Sequence, residues 1–373
     1  MLRRAPLSLP HAEEVPRLAA LLDATDRPPP IPDPDRLVAA ALAHGVGGYV
    51  LAAVEAERVR LPEAAARRLA GGHARRRLHS VRLRRELGDV VEAVESACGA
   101  PPILLKGPAV ADRFYPDPRL RPFVDLDLLV PRAALRDAVA GLGGRGWEPR
   151  EEFRAGYAER HGHDVHLVRR GPAGALHLEL HWRMGDDDAA SGFGHALLAP
   201  AAPTLEVEGR PVRVPTVEHQ LLGLAIHLLS DRGKRLSWLQ DIRLVAAAAD
   251  ARQWDAAFAG ADDLGLGWVL HRALDYPARH LGFARPRPRP PGPPPPFGPL
   301  RAVEALDLRA SPHVGRLVAL GWRERLPYLR AVLVPTRAGL RGTVGRDGDE
   351  PTWRLAARHA RQALLGLASP PRG

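Results

Sequence analysis

ILLKGPAVADRFYPDPRLRPFVDLDLLV (103–130) is the stretch on which the fold of this chain turns. It opens with three apolar residues, Ile103, Leu104 and Leu105, which read as a short buried strand. Lys106-Gly107 ends the run, and Pro108 to Tyr115 follow with helix-like spacing. Three prolines within residues 116–122 exclude regular structure there. FVDLDLLV (123–130) then alternates: Val124, Leu126 and Leu128 face one way, Asp125 and Asp127 the other. Such a strand carries both carboxylates on one face. Lysine also marks the segment, because Lys106 and Lys234 are the only lysines among 53 lysines and arginines.

Working outward toward the C-terminus, DVHLVRR (164–170) and ALHLELHW (175–182) read as two strands joined by GPAG (171–174), a hairpin. In the second strand His177, Glu179 and His181 share one face, and Leu178, Leu180 and Trp182 the other. Glu179 is therefore expected to join Asp125 and Asp127 on one sheet surface, with Asp164 on the neighbouring strand as its substitute. His161, His163, His166, His177 and His181 lie close in sequence, but a zinc site in a one-cysteine chain needs three or four of them to converge. Spacing alone favours ordinary hydrogen-bonded histidines.

The flanks read as helical. Residues 1–99 form an N-terminal helical region, in which Asp35 is the expected cap of a helix running toward His44. Gly45, Gly47 and Gly48 divide the apolar segment 37–54 into two helices rather than a membrane span. A long amphipathic pattern begins at Pro62, with Gly71 and Gly72 as a candidate break. Its polar side holds eight arginines, among them Arg75 and Arg76, and reads as a solvated face before a polyanion stripe. A core at 100–215 follows, then a helical domain at 216–284, a proline-rich linker at 285–299 and a C-terminal helical segment at 300–373.

With 373 residues, 45% of them hydrophobic, the chain can build a large core. Its formal net charge of +10 favours polyanions as partners. Cys98 is the one cysteine, which excludes an intramolecular disulfide framework and points to a reducing, cytoplasmic setting. No signal-peptide pattern is read at the N-terminus, and no membrane association is expected.

In the order strand, Lys-Gly, helix, Asp-x-Asp strand, Glu strand, the chain resembles the DNA polymerase β-like nucleotidyltransferase superfamily. It looks most like the uncharacterised nucleotidyltransferase family of bacteria, in which the glycine step is written Leu-Lys-Gly. The matching pieces are LLKGPAV (104–110), YPDPRLRPFVDLDLLV (115–130), LELHWRM (178–184), EHQLLGLAIHL (218–228), RLSWLQDIRLV (235–245) and YLRAVLVP (328–335). The resemblance implies an α+β fold, a small mixed sheet with helices flanked by helical regions. It implies transfer of a nucleoside monophosphate from an NTP to an acceptor, with magnesium, or manganese in its place, bound by Asp125, Asp127 and Glu179. Lys106 and Gly107 would contact the triphosphate. The superfamily's usual Gly-Ser is replaced here by Gly107-Pro108, so Arg121 is the candidate for an additional phosphate grip. His181 would orient an acidic ligand, and His227 and Asp241 would be structural or acceptor-side residues. The acceptor is left open among tRNA, protein, peptide and small molecule. The alternative is a nucleotide- or nucleic-acid-binding protein without catalysis.

Overall fold

The computed structural model describes residues 9–23, 30–150, 162–185, 192–230, 233, 235–285, 322–333 and 357. His161, Lys234, the proline-rich linker beyond residue 285 and most of the C-terminal segment lie outside the described residues.

Seven strands among the described residues form one mixed sheet: β1 (Ile103–Leu104), β2 (Leu126–Leu129), β3 (Glu148–Pro149), β4 (Asp164–Arg169), β5 (Leu176–His181), β6 (Thr204–Val207) and β7 (Arg210–Arg213). Their spatial order is β3-β4-β5-β2-β1-β7-β6, so β2 is central, with three strands on each side. All four of its residues are buried, as a strand covered on both faces requires. β2 runs antiparallel to β1 and parallel to β5, with Asp127 opposite Glu179. The expected hairpin is present: β4 and β5 pair antiparallel, and Gly174 closes the turn with φ +97°. β6 and β7 make a second hairpin that the sequence reading did not assign. Its two turn residues, Glu208 and Gly209, both have positive φ, as a turn matched to strand twist demands.

Among the described residues, besides a four-residue helix at His195–Leu198, the α-helices are α1 (Val15–Leu22), α2 (Pro34–Ala43), α3 (Gly47–Glu55), α4 (Glu63–Cys98), α5 (Pro108–Phe114), α6 (Leu135–Gly143), α7 (Val217–Ser230), α8 (Leu236–Ala248), α9 (Ala251–Asp263), α10 (Gly267–His280) and α11 (Trp322–Leu333). The cap of α2 is Asp33 rather than Asp35: its carboxylate accepts the Arg36 N–H at 3.0 Å, and Pro34 takes the first turn. α4 is continuous through Gly71 and Gly72. A Cβ on Gly72 would lie 2.7 Å from Leu42 Cδ1, so glycine here permits close approach of α2 instead of breaking the helix.

Two apolar clusters lie against the sheet. In one, Leu104, Leu126, Leu128, Leu178 and Leu180 meet Leu83, Leu87, Val90 and Val94 of α4 and Leu135, Ala138 and Leu142 of α6. In the other, Ile103, Leu105 and Leu129 meet residues of α1 to α3 and α7 to α10. Helices that precede the sheet and helices that follow it thus share one core. α4 belongs to both clusters, since Ala65 and Leu69 pack in the second. This 36-residue helix, about 54 Å long at 1.5 Å per residue, fixes the helical half to the sheet.

The α4–α6 contact is close enough to test. A Cβ on Gly141 would stand 3.0 Å from Ala97 Cβ and 3.1 Å from the Ala93 carbonyl oxygen. Gly141→Val is expected to destabilise the chain by about 1–3 kcal/mol through overpacking, read as a lower urea midpoint. An unchanged midpoint would show that the two helices do not pack this way.

Candidate active site

Asp127 sits in the central strand and is 1% exposed. A buried carboxylate must be paired, and two cations meet it. Lys106 Nζ lies 2.7 Å from Asp127 Oδ1, and His181 Nε2 lies 3.2 Å from the same oxygen and 3.4 Å from Glu179 Oε2. The backbone sets this up: Leu105 N–H donates to the Asp127 carbonyl at 2.9 Å, which brings Lys106 level with the aspartate. Gln220 Nε2 of α7 donates to the Leu105 carbonyl at 2.8 Å and holds the end of β1. Gly107 then turns the chain into α5 at φ +60°, ψ −116°, a conformation that glycine alone adopts without strain.

The charges balance unevenly. Burial opposes ionisation of Asp127, but the Lys106 charge and the His181 hydrogen bond outweigh it and hold the carboxyl below its ordinary range. Glu179 is likewise held well down, burial being outweighed by His181 and Lys106. Burial disfavours the charged forms of Lys106 and His181, yet the carboxylates prevail, keeping the lysine firmly protonated and pushing His181 up to about 10. Asp125 goes the other way. Burial and the charges of Asp127 and Glu179 raise it to about 7.

Asp125 directly precedes β2 and lines a cleft of about 540 Å³ together with Glu179, His166 and His177. The same cleft has basic lining: Arg75, Arg76 and His79 of α4, and Arg150 after β3. Two α4 side chains fix the approach to Asp125. His79 Nε2 hydrogen-bonds the Val124 carbonyl at 2.9 Å, and Ser80 Oγ accepts from Phe123 N–H and donates to its carbonyl, each at 2.8 Å. Asp127, Glu179 and His181 offer ligand atoms within 4.8 Å of one another; among the described residues no such group of three includes Asp125.

The site residues expected from sequence therefore separate. Asp127, Glu179, Lys106 and His181 converge, Asp125 stands at the cleft beside them, and Gly107 makes the turn between β1 and α5. Arg121 departs from its expected place as a phosphate grip. Its Nε and Nη2 lie 2.8 and 2.7 Å from the two oxygens of Asp241, and Nη1 donates to the Pro122 carbonyl. Asp241 also accepts from Tyr115 OH at 2.6 Å, so it is a buried tie between α8 and the proline-rich approach to β2. His227 packs edge-on against Trp238, with ring centroids 4.6 Å apart.

The model of a family described as uncharacterised nucleotidyltransferases matches residues 31–282, which contain the whole sheet and helices α2 to α10. The chain belongs to this family. No curated protein matches it. Among solved structures it is similar to an antigenic nucleotidyltransferase-like protein from Paracoccidioides brasiliensis, at 15% identity and a TM-score of 0.32. That match covers 56% of this chain and 92% of the other. Within this family member, Arg75, Arg76, His79 and Arg150 are cleft residues that sequence reasoning did not select. Eight arginines share one helix in the sequence, and only the packing of α4 shows which of them turn to the acidic face. No helix among the described residues is long and apolar enough to cross a membrane.

Arg121→Ala leaves the Asp241 carboxylate buried without its main partner, so it is expected to cost about 3–5 kcal/mol of stability. Denaturant unfolding measures this. A loss below about 1 kcal/mol would return Arg121 to a ligand-binding role.

Proposed function

We propose that this nucleotidyltransferase moves a nucleoside monophosphate from an NTP to an acceptor, with Asp125, Asp127 and Glu179 as the ligands of magnesium or manganese. The observation that carries this reading is the register of β2 and β5, which sets Asp127 opposite Glu179 next to a third carboxyl raised to about 7. Three crowded carboxyls with one partly quenched form an oxygen-donor set suited to a hard divalent cation, which relieves their repulsion. A cation bound there neutralises polyphosphate charge and lowers the pKa of an attacking hydroxyl. In the reaction the acceptor oxygen bonds to the α-phosphorus, the bond to the bridging oxygen breaks, and pyrophosphate leaves.

The chain's own residues divide the remaining work. Gly107 lets the backbone approach phosphate closely, and Lys106 supplies a compact positive charge beside it. Arg75, Arg76 and Arg150 place guanidinium charge along the cleft, where polyphosphate or a phosphate-bearing acceptor would lie. Arg121 and His181 position rather than react: one ties the approach to β2, the other holds Asp127 and Glu179. The net charge of +10 favours an RNA acceptor such as tRNA; a protein, a peptide and a small molecule are the other classes. A cytoplasmic setting accords with this chemistry.

One observation supports a second reading. Lys106 Nζ already occupies Asp127 at 2.7 Å, as it would in a nucleotide-binding protein that had given up catalysis. Incubation with each labelled NTP, magnesium and a cell extract separates the two and identifies what becomes labelled. Asp125→Asn with Asp127→Asn is expected to lower magnesium-dependent NTP consumption by about 100-fold or more. Consumption that persists in the double variant, or is absent from the wild type with every NTP, defeats the transferase reading.

The raised Asp125 also makes metal binding depend on pH. Below about pH 7 a cation must displace its proton, so magnesium affinity is expected to fall about tenfold per pH unit, measured by calorimetry. Asp125→Asn should flatten that slope; a wild-type affinity constant between about pH 5 and 7 would contradict the role of Asp125 as a ligand.

A further inference from the structure

His181 has a side that the acidic site does not use. Its ring is 5% exposed, and Nε2 is shared between Asp127 and Glu179. Nδ1 is shielded from solvent and has no hydrogen-bond partner among the described residues. A buried polar nitrogen left so costs about 1–3 kcal/mol. Across the β4–β5 ladder Asp164 lies directly opposite His181, and the ring of His163 stands 5.6 Å from that of His181, centroid to centroid. His163, Asp164 and His181 each offer a ligand atom, and the three atoms lie within 4.8 Å of one another. Because the two carboxylates hold Nε2, the nitrogen of His181 left for this side is Nδ1.

We propose that His163, Asp164 and His181 form a second metal site, separate from the Asp125–Asp127–Glu179 set and built for a divalent transition metal of the zinc class. The donor set makes the distinction. Two imidazoles and one carboxylate suit zinc and its neighbours, whereas magnesium takes oxygen ligands. A histidine that binds metal through one nitrogen commonly donates its other N–H to a carboxylate, and His181 has Asp127 and Glu179 in that place. In the empty site the second proton of the His181 ring lies on Nδ1, buried without an acceptor; a metal replaces that proton and meets the lone pair directly.

Zinc bonds of about 2.0–2.1 Å put tetrahedral ligand atoms about 3.3 Å apart. His163 Nδ1 lies 3.9 Å from Asp164 Oδ1, wider than that, and the His163 side chain is 27% exposed, so its ring is not locked in the core. His166 Nε2 lies 3.0 Å from Asp164 Oδ2 and orients that carboxylate. A water completes the coordination. The metal fixes His181 with Nε2–H directed at Asp127 and Glu179, so it positions the two acids without touching substrate.

Metal content and ligation read the site without any transferase reaction. Chelator-treated full-length protein is loaded with zinc, dialysed against excess magnesium and analysed for metal, and X-ray absorption spectroscopy on the loaded wild type counts imidazole ligands. The expected result is one zinc per chain with two imidazoles. His163→Ala should weaken zinc binding by about 100-fold, and Asp125→Asn should leave it unchanged. Displacement of zinc by magnesium, oxygen-only ligation, undiminished binding in His163→Ala or equal loss in Asp125→Asn would each overturn the site. If His163→Ala fails to fold, by circular dichroism, the wild-type spectrum still decides.

Discussion

Asp127 is a carboxylate in the middle of the middle strand, and the arrangement around it follows from the cost of putting it there. An unpaired ion at such a position costs several kcal/mol, more than a single-residue defect a domain can readily absorb. The backbone answers by bringing Lys106, just past the end of β1, on one side and His181 of β5 on the other. Both neighbours of β2 therefore contribute a cation, and both must hold register for the aspartate to remain charged. A slip of one residue in either pairing would turn Asp127 into the apolar cluster under α4 and α6.

The helical half supports the same strand from further away. α4 crosses both apolar clusters and also holds Phe123 and Val124 through Ser80 and His79. α8 reaches the preceding loop through Asp241, which collects Arg121 and Tyr115. Apart from one 3-10 turn at Pro118–Leu120, which the three prolines had seemed to exclude, this loop has no regular structure, and side chains from two helices fix its path. The order of Asp125 at the cleft thus depends on elements far from it in sequence.

The period-2 pattern was legible over Leu126–Leu129 and Leu176–His181, because a half-polar strand writes its two faces into alternate letters, but the expected strand 123–130 is shorter than its pattern and leaves Asp125 just outside it. The β4–β5 hairpin was legible from its glycine-bounded turn. What joins β2 to β5 is different: these strands are neighbours without being consecutive, and their register depends on apolar packing no local pattern encodes. The fate of Arg121 was hidden for the same reason, since Asp241 lies 120 positions away. Gly71 and Gly72 read as a break by propensity, but packing against Leu42 gives Gly72 a reason to be small inside a helix. The β6–β7 hairpin was missed because its strands are four residues each and one contains Pro211, which demotes a strand in any local reading. The spacing of His163 and His181 favoured ordinary hydrogen-bonded histidines; antiparallel register is what sets Asp164 opposite His181.

The two kinds of cation around the site follow one physical distinction. Arg121 grips both oxygens of Asp241 through a planar fork, a geometry that locks a carboxylate for good. Lys106 meets Asp127 through a single ammonium on a flexible stem, which can hold the charge of an empty site and move toward phosphate when a divalent cation takes its place. A guanidinium at position 106 would compete with that cation for both oxygens. Lys106, one of only two lysines, thus stands where the carboxylate has to be given up during the proposed reaction.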